Sequence, residues 1–219
     1  MNFADLFSIN TVMFTFWNYP MSYLEFVGTI FNLWCVYLAA RNKVLSWPIG
    51  LVGIILYMFL FYQIQLYSDL FEQVYFFVTT FYGWWLWTRT VKNKAGQTQE
   101  LKISFSSPRK NIAWLVVTLV GTIVLGYFMS KINLIFPTYF PVPASFPYLD
   151  AFTTIMSFVA TILMAKRRVE CWYYWILVDI IGVALYFAKD VRFISLEYVI
   201  FLIIATKGLV DWIKKYQKQ

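Results

Sequence analysis

Seven stretches of this chain are apolar over about 20 residues each, with short polar breaks between them. They run over 22–40, 44–62, 69–88, 110–130, 148–166, 170–188 and 193–213. An α-helix rises 1.5 Å per residue, so about 20 residues cover the roughly 30 Å hydrocarbon core of a bilayer. Each stretch is therefore predicted to be a membrane-spanning helix. The breaks after the first and fifth stretches are very short, which predicts tight helical hairpins there. Segment 90–109 is polar and charged and predicts a loop. Segment 131–147 contains Pro137, Pro141, Pro143 and Pro147, which predicts a stiff, irregular connection. The stretch Phe3–Trp17 is apolar only in patches, broken by Ser8, Asn10 and Thr11, and ends at Asn18-Tyr19-Pro20. It predicts a short interfacial helix rather than an eighth span.

The apolar pattern repeats. Residues 23–87 align with 148–212 at a constant offset of 125, and 15 of the 65 pairs are identical. Identical pairs include Tyr23/Tyr148, Thr29/Thr154, Trp47/Trp172, Glu72/Glu197, Gly83/Gly208 and Trp87/Trp212. Charge is kept at Glu25/Asp150, Arg41/Lys166 and Lys43/Arg168. A duplicated three-helix unit of this kind is a ground plan of small-solute transporters.

The expected fold is an all-α integral membrane protein with seven transmembrane helices. Two parallel three-helix bundles are joined by one linker helix, a three-plus-one-plus-three plan. The expected units are an N-terminal interfacial segment, 1–21; a first repeat, 22–89; a cytoplasmic loop, 90–109; a linker helix, 110–130; a Pro-rich extracellular loop, 131–147; a second repeat, 148–213; and a cytoplasmic tail, 214–219.

Charge sets an expected orientation. With loops assigned alternately to two sides, one side holds 15 basic residues and the other only Lys131, Lys189 and Arg192. The positive-inside rule then puts the N-terminus outside and the C-terminus in the cytoplasm.

Composition narrows the function further. Hydrophobic residues make up 61% of the chain and charged residues 13%, about half the usual share for a soluble domain. The net charge of +7 lies in short loops between apolar runs, which is topology rather than a nucleic-acid surface. There is no histidine, which excludes Ser-His-Asp catalysis and the usual zinc sites. Cys35 and Cys171 are not spaced as metal ligands, and a disulfide between them is not expected. Asp5 and the lack of an early basic residue do not fit a cleavable signal. No catalytic residue, metal or cofactor is expected.

Polar groups forced into lipid are the candidate site. Asp179 falls near the middle of the sixth stretch, where an ionised carboxylate costs several kcal/mol unless it is paired or hydrated. Two readings stand: a hydrogen-bonded anchor between helices, or a contact with substrate or a cation. Trp172, Trp175 and Asp179 share a helical face at i, i+3 and i+7, where indoles and a carboxylate suit a flat cationic ring. An interfacial aromatic belt is the alternative for Trp172 and for its repeat partner Trp47. Asn32 and its repeat partner Ser157, with Thr29 and Thr154 one turn earlier, either join helices or line a path. Asn32, Gln73, Thr80 and Thr153 could supply donors and acceptors to a solute. Glu72 and Glu197 are repeat partners one turn into the third helices, positioned to attract a cation or to brace the bundle.

The motifs Trp47-Pro-Ile-Gly50, Tyr82-Gly-Trp-Trp-Leu-Trp87, Leu163-Met-Ala-Lys166 and Trp172-x-x-Trp175-x-x-x-Asp179 resemble those of the PnuC family of bacterial vitamin transporters, over residues 20–213. The resemblance implies a fold similar to the SWEET sugar transporters and nicotinamide riboside as substrate. It also implies facilitated diffusion across the inner membrane, trapping by a cytoplasmic nicotinamide riboside kinase, and a homo-oligomer, by family a trimer. Trp172, Trp175 and Asp179 map onto that family's sixth-helix tryptophan pair and acid. Relatives carry thiamine or riboflavin, so those substrates are alternatives. A membrane receptor or assembly factor is the alternative from another class.

Overall fold

The computed structural model describes residues 3–16, 19–64, 67–92, 98–140, 142–188 and 192–219. Trp17, Asn18, Pro141 and Lys189, named above, lie outside the described residues. Among the described residues eight α-helices follow one another: α1 (Tyr23–Ala40), α2 (Ser46–Gln63), α3 (Tyr67–Thr88), α4 (Pro108–Ser130), the single turn α5 (Ile132–Ile135), α6 (Pro147–Ala165), α7 (Cys171–Ala188) and α8 (Arg192–Gln217).

Six of these helices are long and apolar enough to cross a membrane: α1, α2, α4, α6, α7 and α8. This corrects the seven-span, three-plus-one-plus-three, SWEET-like expectation. The missing span is α3. It is 22 residues long but holds Asp69, Glu72, Gln73, Thr79 and Thr80 among its tyrosines and tryptophans. Counting tyrosine and tryptophan as apolar hid the hydrogen-bonding group each ring carries.

Packing closes a ring. Helix α1 contacts α2, α2 contacts α3, α3 contacts α6, α6 contacts α7, α7 contacts α8, and α8 returns to α1. Helix α4 stands outside the ring against α6. Its Ile112, Leu115, Val116, Leu119, Val120, Ile123 and Val124 are exposed, as suits a surface facing acyl chains.

The repeat is visible in backbone detail. The α1–α2 turn ends α1 with Asn42 N–H bonded to Ala39 O (2.8 Å) and Lys43 N–H to Leu38 O (2.9 Å). The α6–α7 turn copies it, with Arg167 N–H on Met164 O and Arg168 N–H on Leu163 O, both 2.9 Å. These are paired C-terminal helix caps that need one left-handed residue. Asn42 (φ 58°) and Arg167 (φ 49°) supply it at equivalent positions. Asparagine tolerates this conformation; arginine does so at a cost offset by its contacts. The Arg167 guanidinium lies 4.5 Å from the centre of the Trp87 ring and donates to Leu101 O.

The two ends of the ring carry opposite charge. Helices α1, α3, α6 and α8 begin at one end, where Glu25, Asp69, Glu72, Asp150 and Glu197 lie within their first two turns. They finish at the other, beside Arg41, Arg89, Lys166 and the Lys214-Lys215 pair. Both placements complement the helix dipoles. They are called the acidic and basic ends below.

Segments outside the helices cover both ends. In place of the expected interfacial helix, the N-terminal stretch forms a short 3₁₀ turn, Phe3–Phe7, and a hairpin of β1 (Val12–Phe16) with β2 (Tyr19–Ser22). Gln63 at the end of α2 ties it down, accepting from Ile9 N–H (3.1 Å) and donating to Phe7 O (2.7 Å). At the basic end, β3 (Thr90–Lys92) pairs with β4 (Thr98–Glu100), and the chain then runs as a strap into α4. Ser104 exchanges backbone bonds with Arg167 and Val169, and Ile103 is 2% exposed. Ser106 N–H and the Asn111 amide both donate to Glu170 Oε1, at 2.7 and 3.2 Å.

Candidate functional site

Four tryptophans from α2, α3, α7 and α8 form the centre of the basic end. Trp47 and Trp87 meet edge to face at 5.3 Å, Trp172 and Trp212 do the same at 5.5 Å, and Trp87 and Trp212 join the pairs at 6.0 Å. The glycine one turn before each third-helix tryptophan makes room. A Cβ on Gly208 meets the Trp172 ring at 2.9 Å, and one on Gly83 comes within 2.2 Å of the Trp47 ring. Each third helix also reaches the opposite repeat. Trp87 Nε1–H donates to Ala165 O (3.0 Å), and Trp212 Nε1–H donates to Ala39 O (3.1 Å). These bonds are a pseudo-two-fold pair that holds the halves together at the basic end.

At the acidic end a different bond crosses the ring. The Tyr57 hydroxyl on α2 pairs with the Thr29 hydroxyl (2.9 Å) and donates to the Glu197 carboxylate, 3.1 Å from each oxygen. Asn32 lies within reach of the same hydroxyl. Nearby, the Tyr19 hydroxyl donates to Glu25 Oε1 (2.7 Å), and its ring stacks on Phe193 of α8. Partial burial and the Glu25 carboxylate push the Tyr19 phenol above its ordinary pKa, so it stays a donor. Removing the Tyr57 hydroxyl strips a buried carboxylate of a donor. We expect Tyr57→Phe to lower stability by about 1–3 kcal/mol, seen as a lower unfolding temperature in detergent.

Between the ends, α7 carries the sequence-predicted stripe. Trp172 is fully buried in the tryptophan group, and Trp175, one turn on, packs against the same core. Asp179 follows one turn further and is 3% exposed. It lies within electrostatic reach of Tyr198, as do Glu72 and Glu197. Glu72 in turn is close to Asp69 and Asp150. The indole N–H groups of Trp47, Trp172 and Trp175 are buried without a hydrogen-bond partner among the described residues. Buried donors of this kind are rare and call for a partner.

The predicted residues therefore divide into places. Trp47 and Trp172 belong to the tryptophan group at the basic end. Glu72, Glu197 and Asp179 each lie within electrostatic reach of Tyr198. Asn32 adjoins the Tyr57 bond, with its side-chain oxygen packed against Gly53. Thr80 is buried and Gln73 half-buried on α3. Thr153 is half-buried on α6, and its hydroxyl donates to Leu149 O and Asp150 O of its own helix. Sequence reasoning did not single out Tyr57, Tyr198, Trp87 and Trp212, which the structure places among the predicted residues. The tryptophans had a signal, since they are identical repeat partners. Tyr57 had none, because its repeat partner is Gly182.

The profile of the family described as "Nicotinamide mononucleotide transporter" matches residues 22–214. The chain is 33% identical to the nicotinamide riboside transporter PnuC of Escherichia coli (strain K12), over 98% of this chain and 97% of that protein. The chain belongs to the PnuC family. It is also 26% identical to the riboflavin/roseoflavin transporter RibM of Streptomyces davaonensis, over 93% of this chain and 91% of that one. The crystal structure of the vitamin B3 transporter PnuC superposes with a TM-score of 0.68 at 22% identity, covering 90% of this chain and 83% of that one. That likeness concerns the fold. As a PnuC-type protein, the chain is a multi-pass vitamin transporter of the bacterial inner membrane and not an enzyme. The receptor or assembly-factor alternative is thereby set aside. Among the described residues no group of three or more His, Cys, Asp or Glu is placed to hold a metal ion.

Proposed function

We propose that this chain carries nicotinamide riboside into the cytoplasm by facilitated diffusion. The carrying observation is the charge of the ring. Helices α1, α2, α3, α6 and α7 contain no lysine or arginine, yet they bear Glu25, Asp69, Glu72, Asp150 and Asp179. Helix α8 adds Glu197, and its basic residues are Arg192 in its first turn, the exposed Lys207, and Lys214 and Lys215 in its last turn. Five helices that carry acids and no cation suit a solute with a positive ring and no phosphate. Nicotinamide riboside fits that description, whereas a mononucleotide would bring a phosphate among carboxylates. Trp175 and Asp179, one turn apart on α7, are the groups we assign to the pyridinium ring. Trp172 and Trp47 form the floor beneath it. Asn32, Gln73, Thr80 and Thr153 are candidates for the ribose and carboxamide, with Glu72 and Glu197 at the entrance. Of these Thr153 is the weakest, since its hydroxyl is already engaged.

The mechanism we propose is alternating access. Two closures join the repeats at opposite ends: Tyr57 on Glu197 at the acidic end, and Trp87 and Trp212 on the partner helices at the basic end. Opening one while the other holds exposes the centre to one side at a time. The basic end faces the cytoplasm in this reading, by the positive-inside rule, with the N-terminus outside. A cytoplasmic kinase that phosphorylates the solute keeps the gradient inward. Self-association, to a trimer, follows the family resemblance.

The likeness to a riboflavin transporter favours one second reading, uptake of riboflavin, and thiamine shares the positive ring. Influx of labelled nicotinamide riboside into proteoliposomes separates these. Saturable influx without an imposed ion gradient, blocked by unlabelled nicotinamide riboside but not by thiamine or riboflavin, is the expected result. Inhibition by riboflavin or thiamine alone moves the protein to that substrate. In the same assay Trp175→Ala is expected to raise the half-saturating concentration about tenfold, the loss of roughly 1–2 kcal/mol of cation–π contact.

A further inference from the structure

At the basic end a concave site of about 350 Å³ is lined by Arg41, Lys43, Asp211, Lys214, Lys215 and Lys218. Five cations face one carboxylate. The site sits on the seam between the repeats, where the Lys215 ammonium donates to Arg41 O at 2.6 Å and ties α8 to the end of α1. Its volume lies in the range of small-ligand pockets.

The pseudo-symmetry supplies a control inside the same molecule. At the offset of 125, Arg41, Lys43 and Lys214 correspond to Lys166, Arg168 and Arg89. On that seam the strap leading into α4 lies over the cations. Arg168 donates to Ser104 Oγ (2.6 Å) and Phe105 O (2.9 Å), and its neighbour Arg167 donates to Leu101 O. Arg89 lies over the Trp85 ring at 3.5 Å. Lys166 lies over the Trp114 ring at 5.7 Å. On this seam the strap's oxygens take up Arg168, and aromatic rings take up Arg89 and Lys166. The other keeps the same kind of cations around an open concavity.

We propose that the Arg41–Lys43–Lys214–Lys215–Lys218 concavity binds a phosphate-bearing anion, which takes the place held by the strap's oxygens on the opposite seam. Phosphate oxygens match both a guanidinium and ammonium groups. Two sources share this chemistry: the phosphodiester headgroup of an anionic lipid and a soluble phosphate. Either one bridges α8 and the α1–α2 turn and reinforces the closed basic end.

The test uses the full chain purified in a neutral detergent and compares three additions: sodium pyrophosphate, phosphatidylglycerol in mixed micelles, and phosphatidylcholine in mixed micelles. Unfolding temperature and calorimetric binding are read for each. Pyrophosphate or phosphatidylglycerol is expected to bind and raise the unfolding temperature, and phosphatidylcholine is not. Stabilisation by phosphatidylglycerol alone assigns the site to lipid, and stabilisation by pyrophosphate assigns it to a soluble phosphate. Lys214→Gln with Lys218→Gln, both exposed in the last turns, is expected to weaken binding roughly tenfold or more. The control pair Lys102→Gln and Lys110→Gln removes the same charge at the same end and is expected to leave binding within about twofold. If the first pair does not fold, Lys43→Gln with Lys218→Gln replaces it. Binding of neither anion, or equal losses in both pairs, overturns the proposal.

Discussion

Asp179→Asn is expected to cut nicotinamide riboside influx at low substrate by about 30- to 5000-fold while the protein remains folded. The substitution keeps the shape of the side chain and removes its charge. A cationic ring at the centre of the ring of helices then loses its nearest carboxylate on α7, and an unpaired buried charge costs about 2–5 kcal/mol. Asp179 is 3% exposed, so bulk water is a poor substitute partner. The measurement is influx into proteoliposomes over a range of substrate concentrations, beside an unfolding curve of the same preparation. Recovery of influx in Asp179→Glu, which restores the charge, ties the effect to charge. Full influx in the folded variant sinks the assignment and leaves Asp179 as a helix anchor.

Trp212→Ala is expected to have the largest effect on stability. Its ring is fully buried, meets Trp172 and Trp87, and its indole N–H holds Ala39 O in the opposite repeat. Truncating a buried tryptophan costs about 3–5 kcal/mol through lost contacts and the cavity left behind. Between helices in lipid, where no hydrophobic force drives association, packing and hydrogen bonds carry more of the total. Trp212→Phe keeps a ring but not the donor, and is expected to cost about 1–2 kcal/mol. Unfolding temperatures in detergent for both variants check the order. Equal stability of Trp212→Ala and the native chain removes the tryptophan group from the account of how the basic end is held.

The repeat made part of this site readable in advance. Trp87 and Trp212 are identical partners, and so are Gly83 and Gly208, which marks a shared structural role in the sequence itself. What the repeat could not show is that each tryptophan bonds to the other half rather than its own. The same holds for Glu197. Its matched position marked it, but its donor Tyr57 lies 140 residues away and faces Gly182 in the alignment. The error over α3 has a related cause. A run dense in rings looked as apolar as its neighbours, although its tyrosines, threonines and acids lower its hydropathy below theirs.

The sequence by itself determined the helices, their duplication, the opposite charges of the two ends and the family. Those are local or pairwise-aligned properties: hydrophobic length, loop charge, and residues matched at one offset. The tertiary structure alone decided that α3 meets α6 and α8 meets α1. From those contacts come the crossed tryptophan bonds, the Tyr57–Glu197 link, and one basic seam covered by the strap while its counterpart stays open. The rotation of each helix about its axis is set by packing against neighbours distant in sequence, and amphipathic periodicity is weak in helices that are apolar on every side.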